Sequence, residues 1–247
     1  MLSLVQLKRE LRKVSNREQA KILRRFFKTG KGDYGEGDIF WGVKVPAQRK
    51  IANKFGELSP ENIKKLLNSK VHEHRLTALF ILIKKYEQAD GNGKKKIFDF
   101  YLRNVKNINN WDLVDISAPK IAGDYLLEKP KDVLYKLAAS KNLWERRIAI
   151  LATLTFIRNN KFNDTLKISK MFLTDKHDLI YKAVGWMLRE VGKRDQETEE
   201  KFLKKHYLKM PRTMLRYAIE RFSERKRMFY LKTPPTNLSK KVNRLVK

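Results

Sequence analysis

Trp111 and Asp115 lie in the stretch Asn109-Asn110-Trp111-Asp112-Leu113-Val114-Asp115-Ile116-Ser117-Ala118-Pro119. If helical, it puts these two side chains on one face, one turn apart. An indole face and a carboxylate side by side suit positive charge. Asp112 is explained by its place in the first turn, where the helix dipole favours an acid. Asp115 sits a turn further in, and an acid on the apolar side of a helix needs a partner or a purpose.

The other candidate chemistries are weaker. Four histidines are too few and too scattered for a metal site, and His72 and His74, two apart, point to different sides of a helix. No motif supports Ser-His-Asp catalysis. Trp41, in Phe40-Trp41-Gly42-Val43, and Trp144, at the head of a helix, read as packing residues. Trp186 stands among polar and basic neighbours, one turn before Arg189, and is the third candidate site residue. The glycine-rich segment Gly30 to Asp38 lacks the spacing of a phosphate loop and reads as a plain loop. The chain calls for no cofactor and no metal.

The elements that position these residues are helices. Apolar residues recur with a 3.6-residue period from end to end, and alternating strand-like runs are nearly absent. Asn16 or Ser15 suits the cap of a helix reaching about Phe27, and Pro46 suits the first turn of the next. From there the chain repeats. Helical segments around Arg75, Trp111, Arg146, Lys182 and Arg216 start 34 to 36 residues apart. Shorter helices lie between them, at 60–68, 94–103, 130–139, 162–173 and 197–208, separated by turn signals such as Asp90-Gly91-Asn92-Gly93 and Asn159-Asn160. Paired helices at a fixed period signal an α-solenoid, and the missing tetratricopeptide consensus favours the HEAT class. The expected fold is all-α: one right-handed solenoid of HEAT-like pairs over residues 1–230, curved around a basic concave groove. Residues 231–247 form a basic tail with five basic residues and no acid.

Charge points to the partner. Lys and Arg number 56 against 27 acids, for a net charge of +29 in 247 residues. That balance favours nucleic acid. No apolar run approaches the ~20 residues of a spanning helix, so a membrane is the weaker choice and no membrane partner is expected. The absence of cysteine removes disulfides and thiolate chemistry. A soluble cytoplasmic monomer is the plain expectation. Arg75, Arg146, Arg147, Lys182, Arg189, Arg212 and Arg216 recur at comparable places in successive repeats, as the lining of a groove that follows a phosphate backbone would.

Three blocks carry a resemblance: Asn110-Trp111-Asp112-Leu113-Val114-Asp115, Leu143-Trp144-Glu145-Arg146-Arg147-Ile148-Ala149 and Ala183-Val184-Gly185-Trp186-Met187-Leu188-Arg189-Glu190. In this order and at these separations they resemble the AlkD family of bacterial DNA alkylation-repair glycosylases, over roughly residues 26–222. The run Gly42 to Pro46 before Arg49 is similar to that family too. The resemblance implies stacked helix pairs around duplex DNA and excision of cationic alkylated purines such as 3-methyladenine and 7-methylguanine, with the base left in the stack. It implies Asp115 as the catalytic aspartate, Trp111 and Trp186 as the tryptophans beside the lesion's sugar, and Arg147 as a backbone contact. The family's early DNA-touching tyrosine is replaced here by Phe26 or Phe27, so that hydroxyl contact is missing.

The chemistry agrees with that implication. A purine alkylated at N3 or N7 is already cationic and leaves as a neutral base. The enzyme must then stabilise an oxocarbenium-like sugar, as glycosidases do with carboxylates. The competing reading is a non-catalytic scaffold that holds branched or distorted nucleic acid in the same groove. Asp115 separates the two, because a carboxylate in such a groove weakens binding unless it has other work.

Overall fold

The computed structural model describes residues 3–232, and the basic tail from residue 233 onward lies outside them. No sheet is present among the described residues; the one extended pairing is an isolated parallel bridge between Ile39 and Val71. The chain divides into two compact units, the first ending at Pro130 and the second beginning at Lys131.

The first unit contains α1 (Leu4–Lys13), α2 (Arg17–Phe26), α3 (Val45–Lys54), α4 (Pro60–Leu67), α5 (His72–Gln88), α6 (Gly91–Arg103), α7 (Trp111–Ser117) and α8 (Asp124–Leu126). Side-chain caps set most of the starts: Asn16 accepts from the Gln19 amide at α2, and Ser59 from Asn62 at α4. Asp90 accepts from the Gly93 amide, so the Asp90–Gly93 turn signal becomes the cap and first turn of α6. Every side chain of α5 from His72 to Ile83 is buried, and the helix packs on α3, α4, α6 and α7. A helix covered all round is the core of its unit.

The second unit contains α9 (Asp132–Ala138), α10 (Leu143–Arg158), α11 (Asn163–Met171), α12 (Asp178–Gly192), α13 (Gln196–His206), α14 (Arg212–Ala218) and α15 (Glu224–Lys232). Here α10 is the helix covered all round, buried without a break from Arg147 to Leu154, and it packs on α9, α11 and α12. At Gly185, α12 meets α14 so closely that a β-carbon would lie 2.4 Å from the Met214 carbonyl oxygen. The helices expected at 60–68, 94–103, 130–139, 162–173 and 197–208 are α4, α6, α9, α11 and α13, and each is followed by a second helix carrying a candidate residue. The chain is an all-α helical repeat protein.

One helix departs from regular geometry. After Ser117, α7 continues as a π-helical turn over Ala118–Gly123 and then as α8. Pro119 has no N–H to offer the carbonyl of Asp115 four residues earlier. A π turn, which bonds five residues on, accommodates that loss.

Candidate functional site

Trp111 and Asp115 come together on α7, four residues apart and both half-buried. Asn110 caps the helix by accepting from the Trp111 amide at 2.8 Å. The Trp111 indole rests on aromatic neighbours: Phe27 stacks on it at 5.0 Å between ring centroids, and Phe26 meets it edge-on at 5.6 Å. Phe26 and Phe27 therefore both touch Trp111. They differ in access, Phe26 being 60% exposed and Phe27 6%. Beneath α7, the buried Tyr101 hydroxyl bonds Ser117 at 3.0 Å. Burial raises the Tyr101 phenol, Ser117 opposes this, and the charge of Asp115 adds to it.

Asp112 does more than balance a helix end. Its carboxylate lies 2.8 Å from His72 Nε2, and the other ring nitrogen of His72 lies 3.2 Å from Asp38. The His72 ring stacks under Phe40 at 4.6 Å. Burial pushes this imidazole down, but the charge of Asp112 and hydrogen bonds to Asp112 and Asp38 prevail over burial and Arg75, raising it to about 9. Burial raises Asp38, yet the hydrogen bond from His72 and the charge of Arg75 hold it below its usual range. An imidazolium between two carboxylates thus ties the start of α7 to α5. Spacing within one helix gives no sign of this bridge. Its members at 38, 72 and 112 are 34 and 40 residues apart, and a separation near the repeat period, unused in the sequence reading above, is the signal that could have pointed to them.

Next to it stands a second buried acid. Glu73, 1% exposed, accepts from the backbone N–H groups of Trp41, Gly42 and Val43 at 2.7 to 3.2 Å. Gly42 has φ 79°, and a β-carbon there would lie 2.0 Å from the Asn16 carbonyl oxygen, so only glycine fits. The glycine-rich segment is a loop, as its spacing indicates. Trp41 itself is half-buried, edge-on to His74 at 4.5 Å with the Arg12 guanidinium 5.0 Å above it. Burial, then Lys8 and Arg75, lower His74 to about 4.

The cations divide by accessibility. Arg75 does not line a solvent face: it is 3% exposed, 2.6 Å from Asp38, and donates to the Ser69 carbonyl at 2.9 Å. In the second unit, Arg147 is also buried and donates to the Leu179 carbonyl at 2.5 Å. Arg146 pairs with Asp175 at 2.7 Å and donates to the carbonyls of Ser140 and Lys141. Arg212 donates to the Leu231 carbonyl, which holds α14 to α15. Lys182 pairs with Asp178 one turn away at 2.6 Å, and Arg216 is exposed on α14. Trp186 is half-buried on α12, with its indole N–H donating to Glu190 at 3.1 Å; Arg189, one turn on, pairs with Glu220. Trp144 is 8% exposed, in keeping with a packing role.

Comparison with known proteins bears on this arrangement. The family model described as DNA alkylation repair enzyme matches residues 7–222. No curated protein matches the chain. A solved structure, described as a predicted DNA alkylation repair enzyme from Enterococcus faecalis, is similar at 16% identity with a TM-score of 0.65; the match covers 85% of this chain and 97% of that one.

Proposed function

Because this chain belongs to the DNA alkylation repair enzyme family, we propose that it is a monofunctional glycosylase. Its substrate is a cationic alkylated purine, such as 3-methyladenine or 7-methylguanine, in duplex DNA, and it hydrolyses the N-glycosidic bond. The observation that carries the reading is the half-buried Trp111–Asp115 pair on α7 of a chain with net charge +29.

DNA approaches through its phosphates, and release of their counterions makes binding weaken steeply with salt. Arg216, with Lys182 and Arg189 once they exchange their carboxylate partners for phosphate, supplies contacts in the second unit. Arg146, Arg147 and Arg212 are largely occupied by protein groups, so in this reading they shape the surface that Trp186 and its neighbours present. At the lesion the base departs neutral, taking the bonding electron pair, and positive charge develops on the sugar. Asp115 stabilises that charge electrostatically and orients the water that attacks the anomeric carbon. Trp111 adds its indole face to the same task. His72 holds Asp112 and so fixes the start of the helix that carries Asp115.

The test is single-turnover release of 7-methylguanine from a duplex by wild type and Asp115→Asn. Loss of one preorganised electrostatic contact is worth ~10²–10³ in rate, so the variant should fall by about that factor while DNA affinity changes little. A wild-type rate in the variant overturns the role of Asp115. The scaffold reading gains from the inward engagement of Arg147 and Arg146, and it predicts tight binding to distorted DNA with no base release by either protein.

A further inference from the structure

Three cations stand one repeat apart in the first unit: Arg49 on α3, Lys84 on α5 and Lys120 in the π turn after α7, separated by 35 and 36 residues. Equal phase on successive packed helices brings them together, and all three line one cavity of about 350 Å³. The Arg49 guanidinium lies 4.3 Å from the centre of the Phe80 ring, and Phe80 is buried. That contact holds the cation in place without using its N–H donors. Arg49 has no carboxylate partner among the described residues. Lys84 donates to the Asn53 carbonyl at 3.3 Å, which occupies one of its three N–H groups. Lys120 pairs with Glu87 at 3.0 Å, but the two side chains are 45% and 55% exposed, so the pair is weak and readily exchanged.

Three cations against one acid make this cavity a place for an anion. The aromatic ring among its lining residues is already covered by Arg49, so nothing there selects a base or a sugar ring. A guanidinium fork and two ammonium groups, supplied by three helices to one space, select a phosphate. We infer that Arg49, Lys84 and Lys120 form a socket for one backbone phosphate of DNA. The inference rests on the proposed function for its choice of DNA. It deepens that reading by giving the first unit a phosphate contact, where the contacts named above lie in the second. Lys120 follows Asp115 by five residues on the same run of helix, so a phosphate in the socket ties the strand to the element that carries the catalytic carboxylate. The contact is to the backbone alone and leaves the base in the stack.

The test is equilibrium binding of an undamaged duplex over a range of salt concentrations. Arg49→Gln with Lys120→Gln, both at exposed positions, should weaken binding about tenfold at low salt and flatten the plot of log K against log salt by about 1, the share of one phosphate. Lys64→Gln with Lys65→Gln, exposed on α4, removes the same charge and should cost no more than about twofold. Equal losses in the two pairs overturn the inference, because affinity then follows net charge and not a socket. Glu87→Gln removes the competing acid and frees Lys120, so binding should tighten about threefold. If the Arg49 and Lys120 variant fails to fold, Glu87→Gln decides, and unchanged affinity there overturns the socket. Inorganic phosphate separates the two sources of the anion. If it binds wild type and not the Arg49 and Lys120 variant, while both hold the duplex equally, the socket serves a free anion and the DNA assignment is overturned. The duplex carries no alkylated base, so failure here leaves the excision assay intact, and failure of excision leaves these affinities intact.

Discussion

In the first unit α5 buries Glu73, Arg75 and His72 together, and each is met: three N–H groups on Glu73, Asp38 on Arg75, two carboxylates on His72. In the second unit α13 buries Glu199 to 1% exposure, and one of its carboxyl oxygens has no hydrogen-bond partner. Burial, with Glu200 adding and Arg189 opposing, raises Glu199 to about 8. Both units put acids in their interiors; the first surrounds them with N–H donors and cations, and the second holds Glu199 protonated. Buried charge is tolerable only when paired or neutralised; both units pair an aspartate with an arginine, at Asp38–Arg75 and Asp175–Arg146, and the second also neutralises Glu199.

The comparison breaks first at Glu73. Glu73→Ala strips three backbone donors of their acceptor and should lower stability by roughly 3–5 kcal/mol, the range for breaking a buried charged contact. Urea unfolding measures it, and a loss under about 1 kcal/mol would mean that the loop does not depend on this carboxylate. His72 gives the next effect, visible in pH. Its folded value of about 9 lies above the ordinary 6.5, so its contribution is full below pH 6.5 and disappears as pH rises through 9. The decline should be on the order of 2–3 kcal/mol, and His72→Gln should remove this slope. Glu199 gives the smallest effect and the opposite sign on substitution. Since it folds protonated, its ionisation disfavours the native state as pH rises from 4.5 through 8. Glu199→Gln should therefore be near neutral at pH 4.5 and gain ~1–2 kcal/mol at pH 8. The gain stays partial because a buried amide needs partners of its own. If both substitutions left the pH profile unchanged, the contrast between the units would fall.

The repeat period made the helix pairs legible, since each second helix must bury a stripe at a fixed phase. It also made the Trp111–Asp115 pair legible, because that geometry is internal to one helix. Partners drawn from another repeat were not. Arg75 reads like a groove cation, as Arg146 does, yet each reaches back six residues to a serine carbonyl, Ser69 or Ser140, and to an aspartate far along the chain, Asp38 before it or Asp175 after it. The two arginines are 71 residues apart, two repeats, and are the same structural device used twice. Composition gives the number of cations and cannot tell which of them fold inward. Asp112 was underestimated for a similar reason: its first-turn position is a sufficient explanation, and nothing local reveals the imidazole one repeat away.

The contacts at Gly42 and Glu73 also gather distant segments around one loop. The loop from Ile39 to Val43 has few stabilising bonds of its own; it is fastened to α5 by Glu73 and by the Ile39–Val71 bridge, and to the start of α2 by the Trp41 carbonyl. The Glu73 contacts need α5 in place, whereas the Trp41 carbonyl is held by the start of α2. The loop is thus a latch held from outside itself, by two helices distant in sequence. One latch holds both α2, which brings Phe26 and Phe27 against Trp111, and the residues Phe40 and Val43, so the aromatic surroundings of Trp111 assemble or come apart as one unit.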